Sequence, residues 1–263
     1  MAATSSAIHP GTSVAGRFIR GRGPDGEVSS ANGCDDPVAT LTASERRPLM
    51  TNPNATLIAA LLDRSGSMEV SKEATEDGWR EFINGHREVP GECKVTLAQF
   101  DTGYEVVYAG TPIAEVPDFV VIPRGMTALL DAVGTFVTEI GDQLSAVPED
   151  DRPGHVICLI LTDGMENSSR TWTWDAVKAL TEQQQNEWNW TFIFIGANID
   201  AIDVGRRMGL APDYSITYDD SDYASTTGVM YRARSMTRRV RTDEDDAGFS
   251  DEDREAAMGN ATA

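Results

Sequence analysis

Asp63-Arg64-Ser65-Gly66-Ser67 sets one carboxyl and two hydroxyls on alternate residues, directly after the apolar run LIAALL at 57–62. Gly66 lets the backbone turn tightly between the serines. Two further oxygen donors stand at comparable places. Thr127 opens an apolar-periodic stretch in Gly125-Met126-Thr127-Ala128-Leu129-Leu130-Asp131-Ala132, and Asp163 follows the apolar run VICLIL at 156–161. All five side chains offer hard oxygens, the donor type suited to Mg²⁺ or to Mn²⁺ as its close substitute. Two carboxylates at one place repel each other, and a divalent cation removes that repulsion. A lone Asp-x-Ser-x-Ser also caps helices and makes turns. A metal site at Asp63 therefore requires a fold that brings Thr127 and Asp163 to it.

Apolar runs alternate with helical patterns between residues 51 and 240. LIAALL (57–62), VICLIL (156–161) and TFIFIG (191–196) are continuous, as strands buried on both faces should be. VTLAQF (95–100) and EVVYA (105–109) flank Asp101-Thr102-Gly103, a short hairpin signal, and YSITY (214–218) is a further short strand. Helical spacing is expected over 69–88, after Thr127, over 173–188 and over 221–240, with a short helix that Asp200 caps and Gly209 ends. This order predicts an α/β fold: a doubly wound, mostly parallel six-stranded sheet with one antiparallel edge strand and helices on both faces. Ligands in such sheets bind beyond the carboxyl ends of the strands, which is where Asp63 and Asp163 stand.

DRSGSM, then a Thr opening TALLDA, then LTDG after a buried strand, resembles the von Willebrand factor type A domain. The similarity covers about 55–240 and looks closest to stand-alone bacterial and phage members, through TDGMENSSR (162–170) and FIFIGANIDAI (192–202). The resemblance implies strand order 3-2-1-4-5-6 and a metal-ion-dependent adhesion site at Asp63, Ser65, Ser67, Thr127 and Asp163. Ser65 and Ser67 would ligate Mg²⁺ or Mn²⁺ directly. Thr127 would ligate directly or through water, and Asp63 and Asp163 would act through bound water or as anchors. An open position on the ion would take an Asp or Glu carboxylate of a protein partner. Arg64, Met126, Glu166 and Asn167 flank the set and are candidates for the rim such a partner touches. Glu166 and Asn167 serve equally well to make a turn, and Asp131 either reaches back to the site loop or stays local.

The 263-residue chain carries 22 Lys and Arg against 42 Asp and Glu, a net charge of −20, which repels nucleic acid and anionic membranes. No apolar run is long enough to span a membrane, and no secretory signal is visible, so the cytoplasm is the expected compartment. Cys34, Cys93 and Cys158 give neither a disulfide framework nor a metal clip. Residues 1–50 read as a disordered extension, with Met50 an alternative start, and residues 241–263 as a disordered acidic tail around a 51–240 domain. His86 is expected as a cation complementing the dipole at a helix end and His155 as a surface loop residue. At least two residues of the cluster Trp172, Trp174, Trp188 and Trp190 are expected to pack on the sheet, and the arginines of 232–241 to form a solvated face, folded against the tail. Gly21-Arg22-Gly23-Pro24-Asp25-Gly26 has dinucleotide spacing without the strand and helix it needs. The function expected is a metal-dependent protein-binding module rather than an enzyme, since no convincing nucleophile or general base is visible. A metal-dependent hydrolase and a scaffold subunit with a metal-stabilised fold are the alternatives.

Overall fold

The structure, a computed structural model, describes residues 51–244 and 248–259. The expected extension over 1–50 and the candidate start at Met50 lie outside the described residues. Six strands run β1 (Asn52–Asp63), β2 (Glu92–Phe100), β3 (Tyr104–Pro112), β4 (Pro153–Thr162), β5 (Thr191–Ala197) and β6 (Ser215–Tyr218). They form one sheet in the order β3-β2-β1-β4-β5-β6. Every pairing is parallel except β2 with β3, which the Asp101–Gly103 turn closes as an antiparallel hairpin. The helices are α1 (Lys72–Arg87), α2 (Leu129–Ser145), α3 (Trp174–Trp188), α4 (Ala201–Arg207), α5 (Tyr223–Arg241) and α6 (Asp251–Ala257).

Strand alternation divides the core into two layers. Ile58, Ala60 and Leu62 of β1 face one side with Leu159, Ile195 and Ile216, beneath Trp79 and Phe82 of α1 and Met230 and Met236 of α5. Leu57, Ala59 and Leu61 face the other with Phe100, Cys158 and Phe194, beneath Leu129, Val133 and Phe136 of α2, Val177 of α3 and Val204 of α4. Both faces of the central strands are therefore covered, which explains their unbroken apolar runs. Local signals set the helix ends. Asp200 accepts the Asp203 amide and Asp222 accepts the Ser225 amide as N-caps, while Gly209, at φ +81°, allows the left-handed turn after α4.

Several expectations are corrected. Within the segment read as a disordered tail, Asp251–Ala257 forms α6, opened by a capping box between Ser250 and Asp253. Phe249 buries its ring, Arg254 donates to the carbonyls of Ser215 and Pro212, and Arg232 pairs with Asp253 at 3.4 Å. The acidic composition hid one aromatic anchor and a helix start. His86 is not the dipole-complementing cation expected at the helix end. It is fully buried in the last turn of α1, and burial, with Arg241 and Arg234 nearby, pushes its pKa down to about 3. The buried Arg241 donates to His86 Nδ1 and to the His86 carbonyl, each at 3.2 Å, so this arginine leaves the solvated face expected for it. His155 lies within β4 rather than in a surface loop, beside Thr56 of β1. Trp190 is buried and Trp172 and Trp174 are half-buried, while Trp188 stays exposed.

Candidate metal centre

Asp63 is the last residue of β1 and Thr162 the last of β4, so the neighbouring parallel strands deliver Asp63 and Asp163 to one edge. The Asp63 carboxylate is fully buried and doubly held. Its Oδ1 accepts the Ser65 amide at 2.6 Å and its Oδ2 accepts the Thr162 hydroxyl at 2.6 Å. Ser65 and Ser67 stand with hydroxyls 3.1 Å apart, and both donate to Asp163 Oδ1, at 3.3 and 2.8 Å. Asp163 Oδ2 is buried with no hydrogen-bond partner.

Thr127 reaches this edge through a set of backbone clamps. Gly66 N donates to Gly125 O at 3.4 Å, and Arg124 N donates to Arg64 O at 2.9 Å. Asn167 grips Thr127 from the far side: its amide donates to Thr127 O at 3.0 Å and its Oδ1 accepts from Thr127 N at 2.9 Å. The Thr127 hydroxyl then lies directly over Gly164, where a Cβ would sit 2.7 Å from Oγ1. Only glycine permits that approach. Thr127 precedes α2 by two residues rather than beginning it, and is buried.

Burial raises the carboxyls of both aspartates. Asp63 is pushed up to about 7, mainly by burial and further by Asp163, against the hydrogen bonds from Thr162 and Ser65. Asp163 is raised by burial and by Asp220, against the hydroxyls of Ser67 and Ser65. Two buried carboxylates, one with an unpartnered oxygen, beside three hydroxyls of Ser65, Ser67 and Thr127 fit a hard divalent cation. Among the described residues no group of three or more His, Cys, Asp or Glu gathers as a metal cage, so hydroxyls would have to complete the donor set.

The expected rim splits. Met126 and Asn167 are exposed. Arg64 is not a rim residue: it is buried, with Nε on Asp101 at 2.9 Å and Nη1 on Glu105 at 2.6 Å. Although burial works against it, Asp101 is held below the usual carboxylate range by Arg124, the Gly103 amide and Arg64. Glu166 spends both carboxylate oxygens on its surroundings, accepting from the amides of Leu130, Ser168 and Ser169 and from the Ser169 hydroxyl. It anchors the 163–169 loop to the start of α2, where negative charge is favoured. Asp131 does reach back, accepting the amides of Arg170, Thr171 and Trp172 at 2.7–2.9 Å.

Sequence reasoning passed over Thr162, Asp101, Asp220 and Tyr218. Thr162 left a signal, a lone hydroxyl closing an apolar strand. Tyr218 ends β6 fully buried, its unpartnered hydroxyl in the field of Asp163, Asp220 and Asp63.

Solved structures share this architecture. The pilus adhesin SpaC from Lactobacillus rhamnosus GG is similar at 12% identity and TM-score 0.53, over 74% of this chain and 31% of its own. Proximal thread matrix protein 1 from the mussel byssus is similar at 12% identity and TM-score 0.50, over 71% and 46%. The fold is that of a von Willebrand factor type A domain. The strand order is the one the sequence resemblance implies, and the type A fold accounts for the antiparallel edge strand as well. A von Willebrand factor type A protein from Catenulispora acidiphila is also similar, at 19% identity and TM-score 0.49, over 71% of this chain and 43% of that one. The chain thus spans less than half the length of each of these structures. A scan against family models gives no match, and neither does a search of the curated proteins. No helix among the described residues is long and apolar enough to cross a membrane.

Proposed function

We propose that this type A domain is a divalent-metal-dependent protein-binding module. Ser65, Ser67 and Thr127 would hold Mg²⁺ or Mn²⁺ through their hydroxyls, with Asp63 and Asp163 acting through water or as anchors. Bound there, the ion supplies a Lewis-acidic position that an Asp or Glu carboxylate of a partner protein can fill. The observation that carries this reading is Asp163 Oδ2, a buried carboxylate oxygen left without a partner beside two serine hydroxyls. An unpaired buried carboxylate is costly, and a cation is the group that relieves it.

Several residues support the site from behind. Thr162 and the Ser65 amide orient Asp63, and Asn167 fixes the backbone of Thr127. Binding rather than catalysis fits the surroundings. Among the described residues, His86 is tied to Arg241, and His155 lies 3.9 Å from Asp243, so neither histidine belongs to the site.

Thermal unfolding of the full chain in chelator, Mg²⁺ and Mn²⁺ tests the reading, with Asp163→Ala alongside. Binding to the native state alone stabilises by RT ln(1 + [L]/Kd), about 2.7 kcal/mol at a hundredfold excess over Kd. A metal-dependent rise is expected in the wild type and not in the variant. Absence of a rise in the wild type, or the same rise in both, overturns the proposal.

A further inference from the structure

The loops that carry the site also carry large apolar side chains in solvent. Val70 is 72% exposed, Val120 59%, Ile122 64%, Met126 51% and Met165 60%. Val70 lies three residues after Ser67, Met126 just before Thr127, and Met165 two after Asp163. Met126 is next to Gly125, whose carbonyl is bonded to Gly66, and Met165 is next to Gly164, which lies against Thr127. Val120 and Ile122 belong to a segment whose burial alternates, with Phe119 and Val121 buried and the residue after each exposed. That segment is pinned to the site by Arg124 N on Arg64 O. Alternation of this kind ordinarily places polar residues on the solvent side. Here the outward positions are valine and isoleucine, on a chain with net charge −20. Large exposed apolar groups on loops tied to a site mark a contact surface, and methionines adapt to varied partners.

Charge narrows the occupant. Asp219, Asp220 and Asp222 follow Tyr218, the last residue of β6, so they stand at the same carboxyl edge of the parallel strands as Asp63 and Asp163. A partner bringing several acids would meet this field as well as the overall negative charge. We infer that the partner presents one carboxylate between large apolar residues, in a segment whose other charges are basic, so that the apolar side chains seat on Met126, Met165 and Ile122 while the carboxylate faces the metal position. This rests on the metal-dependent binding reading and specifies its partner.

Blocked tetrapeptides test it on the full chain, by NMR titration in Mg²⁺ and in chelator. The probes are acetyl-Leu-Glu-Leu-Lys-amide, the same peptide with Gly for both Leu, and the same peptide with Gln for Glu. The Leu-Glu-Leu peptide should bind in Mg²⁺ at least about tenfold more tightly than the Gly-Glu-Gly peptide, since half-burying two leucines exceeds the 1.4 kcal/mol that a decade requires. Met126→Ser combined with Met165→Ser should erase that advantage while leaving Mg²⁺-dependent thermal stabilisation in place. Equal, Mg²⁺-dependent affinities for the Leu and Gly peptides overturn this inference and leave the metal-dependent module standing. Binding of the Gln peptide as tight as the Glu peptide, or no Mg²⁺-dependent binding of either Glu peptide, overturns the metal-dependent module and this inference with it.

Discussion

Replacing Asp63 with asparagine should stabilise the metal-free protein and at the same time abolish its response to metal. The carboxyl is fully buried, and burial pushes it up to about 7 from 3.8. A carboxyl raised in the folded state binds its proton more tightly there than in the unfolded chain. Its contribution is therefore complete below about pH 3.8 and is lost as pH rises through about 7. Each unit of difference is worth about 1.4 kcal/mol, so at about pH 7.5 holding the carboxylate in place costs roughly 4 kcal/mol. An amide removes that cost and keeps the hydrogen bonds. Its oxygen can accept the Ser65 amide and its nitrogen can donate to the Thr162 hydroxyl, whose proton turns to Gly164 O, at 3.1 Å. For a domain of this size the gain corresponds to a Tm rise on the order of 10 °C.

Urea unfolding of the full chain in chelator, followed by tryptophan fluorescence, reads the effect directly. Asp63→Asn should exceed the wild type by roughly 4 kcal/mol at about pH 7.5 and by only about 2 kcal/mol at about pH 5, where the wild-type carboxyl is largely protonated in the folded state. Added Mg²⁺ should raise the wild-type midpoint and leave the variant's unchanged. A variant no more stable than the wild type in chelator at the higher pH refutes the reasoning. So does an advantage that does not shrink with pH, because the gain would then have a source other than the buried charge.

Gly164→Ala drives a methyl to 2.7 Å from Thr127 Oγ1, so Mg²⁺ affinity read from thermal shifts should fall by about tenfold or more, with a basal loss of about 1–3 kcal/mol. Phe249→Ala removes the aromatic anchor of α6 and should lower stability by about 3 kcal/mol, with faster tryptic cleavage at Arg254; unchanged stability would return 248–259 to the status of a loose tail. His86 is depressed to about 3 from 6.5, so its neutral form is the folded one and stability is lost as pH falls from about 6.5 toward 3, at about 1.4 kcal/mol per unit. His86→Gln should flatten the low-pH slope in denaturant titrations relative to a parent carrying Asp63→Asn, in which one opposing carboxyl is removed.

The central strands were legible because both of their faces are covered, which leaves continuous apolar runs that nothing else in the chain imitates. The helices followed from spacing, and Asp200 and Gly209 marked the ends of α4 as expected. What escaped was tertiary in origin. His86 reads as a helix-end cation in any helix ending in His-Arg; its burial comes from the α1–α5 packing, which brings Arg241, 155 residues away, onto its ring. Arg64 looks free beside two serines until the hairpin turn delivers Asp101. The helix at 251–257 was masked by acids that also serve as its first turn and cap, an arrangement that stabilises a helix N-terminus.

The same contrast explains why one oxygen of the site is singled out. Acidic side chains are plentiful here, yet those around the metal edge are committed to holding loops. Asp101 binds two arginines and the hairpin amide, Glu166 ties its loop to α2, and Asp131 gathers the backbone of 170–172. Asp63 is saturated by Ser65 and Thr162. Asp101, Glu166 and Asp131 each fix one of the three segments that must converge, so removing any of these three would loosen the site without touching a metal ligand. Asp163 Oδ1 is likewise taken, by the serines, and Oδ2 is left over. Under the proposed function that oxygen would hold a cation beside the serine hydroxyls, and the exposed valine, isoleucine and methionine of the neighbouring loops would shield the contact from water.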